Sequence, residues 1–170
     1  MLLSAACLSS ASVDHTMLNE LPAEQAYRII EYDPIVLVAK RGIDGLPNLM
    51  LVFYMMMQHD PPLVGAIIGP RDYSHQALSE TGECVLAVST VDLAETVVDI
   101  GNCSGDALNM FVNFGLTPAS AQTVDAPLVR ECWANLECHV TDDGWARHYN
   151  LCVCWRSNVF GLTRQTRKRG

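Results

Sequence analysis

The sequence predicts a mainly β protein, an antiparallel barrel with a few short helices. Three observations carry that expectation. A β-branched run at 35–40, "IVLVAK", is followed by Asp44-Gly45 and then by the apolar run "NLMLVFYMMM" at 48–57, the pattern of a hairpin whose turn residues tolerate positive φ. The segment 132–140, "CWANLECHV", alternates strictly, with Cys132, Ala134, Leu136, Cys138 and Val140 on one face of a half-buried strand, and "YNLCVCW" at 149–155 alternates too. Helical patterns are short and fall singly between strands, unlike the repeated strand–helix–strand units of a doubly wound sheet.

Taken in order, "AEQAYRIIEY" at 23–32 places Ala26, Ile29 and Ile30 at helical spacing and reads as a short opening helix that Pro34 stops. After the hairpin, "QHDPP" breaks the long strand, because two prolines cannot continue a ladder, and "LVGAIIG" at 63–69 forms the third strand. A short helix follows from Ser74 to Glu80, with Asp72 or Ser74 as its cap and Gly82 just past its end. "CVLAV" at 84–88 is a fourth strand. In "STVDLAETVVDIG", Ser89 or Thr90 caps a helix whose apolar stripe is Leu93, Ala94, Val97 and Val98, ending at Gly101. "ALNMFVNFG" makes another short helix that ends at Gly115.

The 170 residues, 49% hydrophobic and 18% charged, are enough for one domain with a real core. No apolar stretch reaches the length of a membrane-spanning helix. The first residues carry a short apolar patch without a basic start, so residues 1–20 are expected to be a disordered leader, with Met17 a candidate true start, and not a secretory signal. Cys7, Cys84, Cys103, Cys132, Cys138, Cys152 and Cys154 form no C-x-x-C pair and no zinc-like spacing. That dispersed, odd count favours reduced thiols in a cytoplasm. Residues 1–155 hold 19 acidic against six basic residues, a charge of −13, while 156–170 carry +5. So acidic a body repels nucleic acid, and the basic tail lacks aromatic interleaving or a binding motif.

The most informative local signal is the strand-to-helix corner "GPRDYSHQAL" at 69–78. Free N–H groups and a partial positive charge at a helix start favour an anion. Arg71 adds a fork suited to phosphate, and Tyr73 and Ser74 add hydroxyls. The plainer alternative is a capping Ser74 and a solvated Arg71. In "NLMLVFYMMM", Met55 and Met57 share one face and Met56 takes the other, either as core filling or as a lining for a flat ring. Asn48 is either a turn residue or an amide aimed at a ligand. "GNCSG" at 101–105 is not a nucleophile elbow, and Cys103 has no base near it in sequence. Phosphate-binding glycine motifs for nucleoside triphosphates and Rossmann dinucleotides are absent.

The stretch "PNLMLVFYMMMQHDPPLVGAIIGPRDYSHQALSETGECVLAVSTVDLAETV", continued by "GNCSG", "MFVNFGLTP" and "APLVRECWANLECHV", resembles the flavin reductase-like, flavoredoxin-like family of FMN-binding split barrels. The similarity covers 24–153 and rests on the combination P-N-x-M, D-P-P-L-V, G-P-R-x-[YH]-[ST] and F-G-L-T-P. It implies an antiparallel Greek-key split barrel over 21–155 that forms a homodimer and binds FMN near the dimer interface. It implies further that NADH or NADPH passes hydride to the flavin, for delivery of reduced flavin or electrons to a monooxygenase or other acceptor. By position, Asn48, Leu49, Met50 and Leu51 would edge the isoalloxazine ring. Gly69, Arg71, Tyr73 and Ser74 would hold the phosphate, and Cys103 and Ser104 would approach from the following loop. The chemistry would reside at the flavin N5, with no catalytic side chain and no metal.

This sequence departs from the family pattern at Asp106, where an arginine is common, at Met110, where a lysine is common, and at Ala87, where an asparagine is usual. Those departures keep open a competing reading, a non-enzymatic FMN-binding or electron-transfer module. Beyond Val153 the family resemblance implies another strand and a Trp-x-Asp-Pro stretch, whereas 156–170 form an atypical basic tail. A frameshifted C-terminus would account for it, and the gene's nucleotide sequence decides the matter.

Overall fold

The computed structural model describes residues 19–20 and 35–161; the expected leader before Asn19, the opening helix at 23–32 and the segment 162–170 lie outside the described residues. The chain runs through β1 (Asn19–Glu20), β2 (Ile35–Arg41), β3 (Pro47–His59), β4 (Pro62–Ile67), α1 (Tyr73–Thr81) and β5 (Glu83–Val88). It continues through a 3₁₀ turn at Val91–Leu93, α2 (Ala94–Gly101), α3 (Met110–Asn113), β6 (Pro118–Ala119), β7 (Leu128–Val129), β8 (Ala134–Asp142), α4 (Ala146–Tyr149) and β9 (Leu151–Gly161).

Seven strands form one sheet in the order β1-β9-β4-β3-β2-β5-β8, and a further β8–β9 pairing closes six of them into an antiparallel barrel. β2, β3 and β4 are consecutive hairpin partners, and the chain then crosses through α1 to lay β5 beside β2. Three meandering strands and a fourth returning beside the first make a Greek key. The β2–β3 turn closes as its residues dictate: Gly45 sits at φ 76° and Asp44 Oδ1 accepts from Leu46 N–H at 3.0 Å. At the next hairpin Pro62 does not break the ladder. It opens β4 opposite His59, since a first strand residue can dispense with its N–H.

Strand alternation sorts the core into two shells. Val36, Val38, Val64, Leu86, Leu136 and Cys154 belong to a cluster fed by the barrel strands and closed by Leu78 of α1. Leu37, Ala39, Leu49, Val85 and Ala87 point outward into a second cluster with Val97 and Ile100 of α2, Phe111 of α3 and the segment around 124–132. Each such Val, Leu or Ile side chain is worth about 1.5–3 kcal/mol on burial. Cys84, Cys138, Cys152 and Cys154 are buried free thiols of the interior cluster. Burial pushes Cys152 up to about 12, and Cys84 lies well above the usual thiol range through its hydrogen bond with Cys138, so these act as small hydrophobes.

Several expectations shift by physical causes visible here. Strand β8 is buried on both faces from Ala134 to Cys138 and not half-buried, because the segment before it folds over its outer face. Cys132 precedes the strand and packs in the outer cluster, away from the interior Ala134, Leu136 and Cys138. The buried residues of α2 are Val97 and Ile100, with Leu93 of the 3₁₀ turn half-buried beside them, while Ala94 and Val98 face outward, Val98 at 58% exposure. Asp72 does precede α1, and Gly82 ends it at φ 66°, but the Asp72 side chain makes no cap bond. Strand β9 continues to Gly161, so residues 156–161 of the basic tail carry barrel pairings with β8.

Candidate functional site

One rim of the barrel gathers the β2–β3 turn, the start of α1 and the loop between α2 and α3. A cavity of about 160 Å³ opens there, walled by Asp44, Asn48, Tyr73, Gly105, Asp106 and Asn109 among others. Asn48 and Tyr73 thus meet across a shared space, though they lie on different elements.

Asn48 is neither a free turn residue nor a dangling amide. It is buried, its Nδ2 donates to Gly105 C=O at 2.5 Å, and its Oδ1 accepts from Leu49 N–H at 2.7 Å. It therefore ties β3 to the glycine-rich loop. Gly105 is required by close approach: a Cβ there would lie 2.6 Å from Asn48 Oδ1. Leu49 points into the outer cluster, and Met50 and Leu51 are half-buried on opposite faces of the strand. Leu51 presses against Gly101, whose Cβ would fall 2.7 Å from Leu51 Cδ2.

At the corner, Gly69 N–H donates to Asp72 Oδ2 at 2.7 Å. Because Asp72 turns back in this way, its carboxylate does not cap the first turn of α1, and the helix start keeps donors for another acceptor. Ser74 is buried in that turn, and Arg71 is exposed beside it. Cys103 is half-buried against the outer cluster, and Ser104 is exposed, with its C=O accepting from Ala107 N–H at 3.3 Å. Neither Cys103 nor Ser104 is in the Asn48–Tyr73 wall, nor are Gly69, Arg71 and Ser74, which sit at the adjoining corner.

The departures from the family pattern have distinct fates. Asp106 lines the cavity. Met110 is buried in the outer cluster, a core position at the start of α3. Ala87 is buried directly across the ladder from Asn135, whose amide exchanges hydrogen bonds with both backbone groups of Val129. A second cleft of about 270 Å³ lies on the other side of Pro47, where Arg41 Nε meets Asp125 Oδ2 at 2.8 Å.

Sequence reasoning missed Lys40. Its Nζ is 5.4 Å from the centre of the Tyr73 ring. Burial lowers it to about 8, against the opposing pull of Asp44 and Cys84. Period-two alternation would have found it, since Lys40 shares the interior face of Val36 and Val38.

The barrel and its strand order make this chain a flavin reductase-like split barrel. Residues 32–159 match the model of the flavin reductase like domain, and the chain belongs to that family. The FMN-binding domain of a flavin reductases-like enzyme from Shewanella baltica superposes with a TM-score of 0.79 at 22% identity, over 85% of this chain and 77% of that one. Flavoredoxin of Desulfovibrio vulgaris gives 0.73 at 22% identity, over 81% and 74%. An uncharacterized protein of Archaeoglobus fulgidus is 36% identical over 63% of this chain, and the chain spans 61% of that relative's length. No helix among the described residues is long and apolar enough to cross a membrane.

Proposed function

We propose that the chain binds FMN at this rim and uses NADH or NADPH to reduce it, supplying reduced flavin or electrons to a monooxygenase or other acceptor in the cytoplasm. The observation that carries the reading is the uncapped start of α1, whose Tyr73 walls a cavity shared with Asn48 and the 105–109 loop, with Arg71 and Ser74 at the adjoining corner. The residues fit such a group: a cradle that only glycine permits at 105, open helix-start donors and an unpartnered buried cation, Lys40.

When bound, the flavin supplies the hydride-accepting chemistry, and the protein supplies orientation and electrostatics. In this reading Gly69, Arg71, Tyr73 and Ser74 hold the phosphate. The β3 edge from Asn48 to Leu51 positions the ring, and Cys103 and Ser104 close the side. The direct test is colour. Added FMN is expected to show a perturbed spectrum that bleaches with NADH or NADPH under nitrogen. Arg71→Ala is expected to weaken FMN about tenfold while leaving riboflavin nearly unchanged, as loss of one charge-assisted phosphate contact predicts. A bound flavin that never bleaches would assign the chain to the binding-module reading.

We further propose a homodimer through the outer face of β3. Phe53, Met55 and Met57 alternate there at 62%, 51% and 45% exposure, beside Gly65 of β4, whose Cβ would fall 3.1 Å from Met55 Cγ and Met57 Sδ. An apolar stripe of this kind on a sheet face suits docking of a second copy of the chain. Sedimentation is expected to give twice the 18.7 kDa chain mass, and Met55→Lys to give the monomer. A monomeric parent protein would end this part of the proposal.

A further inference from the structure

Among the described residues, two buried side-chain nitrogens lack a hydrogen-bond partner, Lys40 Nζ and His75 Nε2. The lysine is the harder to explain. It is 0% exposed, one residue from the end of β2, where a four-carbon stem would ordinarily carry its ammonium out to water. Instead it points inward, opposite Asn48 in the ladder and beneath the Tyr73 ring. An ammonium stripped of water without an acceptor is costly, and a ring face returns only part of that cost. The same-face neighbours of Lys40 along β2 are Val36 and Val38, and Asp44 of the β2–β3 turn offsets the burial only in part.

Its surroundings indicate a purpose. Tyr73 and Asp44 lie beside the ammonium and also line the rim cavity, whose wall Lys40 itself does not join, and Tyr73 is the first residue of α1, whose first turn the Asp72 side chain leaves uncapped. We propose that Lys40 is the internal cation of this anion site, pairing with the phosphate of a ligand seated between the start of α1 and the 105–109 loop. The identity of that phosphate as FMN's rests on the function proposed above; the presence of an anion-pairing ammonium does not. Asp44 and Asp106 line the cavity with negative charge, Asp72 stands at the adjoining corner, and exposed Arg71 is screened by solvent. A desolvated cation behind Tyr73 therefore carries much of the discrimination for a dianion, and its flexible stem can reach round the ring edge.

The groups facing Lys40 are Asp44 from the β2–β3 turn, Tyr73 from α1 and Cys84 from β5, the last held well above the ordinary thiol range. Phosphate monoesters are already dianionic above about pH 6. Phosphate affinity should therefore fall as pH rises through about 8, where Lys40 loses its proton.

The chain has only two lysines, Lys40 and Lys168, so lysine labelled with ¹³C at Cε gives two signals, with Lys168 an internal reference. In the wild-type protein the Lys40 signal is expected to titrate below that of Lys168. Its midpoint should rise by a unit or more with FMN or millimolar inorganic phosphate, and stay put with riboflavin. In flavin-fluorescence titrations Lys40→Met should lose FMN affinity tenfold or more and riboflavin affinity less than twofold. The wild-type preference for FMN should shrink between pH 7 and pH 9.5. Equal loss of both flavins in Lys40→Met, or an unmoved Lys40 signal with FMN and with phosphate, overturns the proposal. If the wild-type protein binds neither flavin, the flavin reading fails, and the inorganic phosphate titration alone decides Lys40. That wild-type titration also decides if Lys40→Met does not fold.

Discussion

Replacing Glu137 with alanine is expected to destabilise the fold by about 3 kcal/mol or more, since each buried donor left unsatisfied costs about 1–3 kcal/mol. The carboxylate is fully buried on the outer face of β8. It accepts from Gln122 N–H at 2.8 Å, from Thr123 N–H at 2.7 Å and from the Thr123 hydroxyl. Two backbone donors and a hydroxyl thus converge on one side chain, holding the segment that carries Val124, Ala126 and Leu128 into the outer cluster. Glu83 reinforces it from β5 by accepting from Asp125 N–H at 2.7 Å. At about 2–4 °C per kcal/mol for a chain of this size, the melting temperature should fall by about 10 °C. Glu137→Gln should fall between, because an amide keeps one acceptor and turns a donor toward a donor. A loss under about 1 kcal/mol in Glu137→Ala would mean that water satisfies those donors equally well.

Gly105→Ala is expected to weaken FMN and riboflavin alike by tenfold or more, with a stability loss of about 1–3 kcal/mol from overpacking. The added methyl would sit 2.6 Å from Asn48 Oδ1 and 3.0 Å from its Nδ2. Asn48 cannot yield cheaply, since its two amide atoms are bonded to Gly105 C=O and Leu49 N–H. The loop must therefore move away, breaking the tie between β3 and residues 105–109 and reshaping the cavity. Loss of both flavins separates this variant from Arg71→Ala and Lys40→Met, which act through the phosphate. Undiminished binding of both would place the flavin ring away from the Asn48 wall.

Much of the barrel was legible in the chain because alternation and turn chemistry are local. Asp44-Gly45, the break after His59 and the positive-φ Gly82 all act within a few residues, and the strands between them emerged within a residue or two of expectation. The site was legible only in part. The corner at 69–74 carries its own signals, whereas the cavity joins residues far apart in sequence, such as Asn48 and Gly105, through contacts that no local pattern encodes.

By itself the sequence determined the antiparallel barrel, its hairpins, the short helices and, through a specific set of motifs, the family. These follow from side-chain period, backbone preference and chain order, properties that each stretch carries alone. Only the tertiary structure decided that β8 is covered on both faces, that Glu137 and Asn135 are fasteners and not solvent-facing polar residues, and that Lys40 lies dry beneath Tyr73. A polar residue on a strand reads as outward-facing until another segment packs over it. Burial is a property of two surfaces meeting, and the second surface comes from elsewhere in the chain.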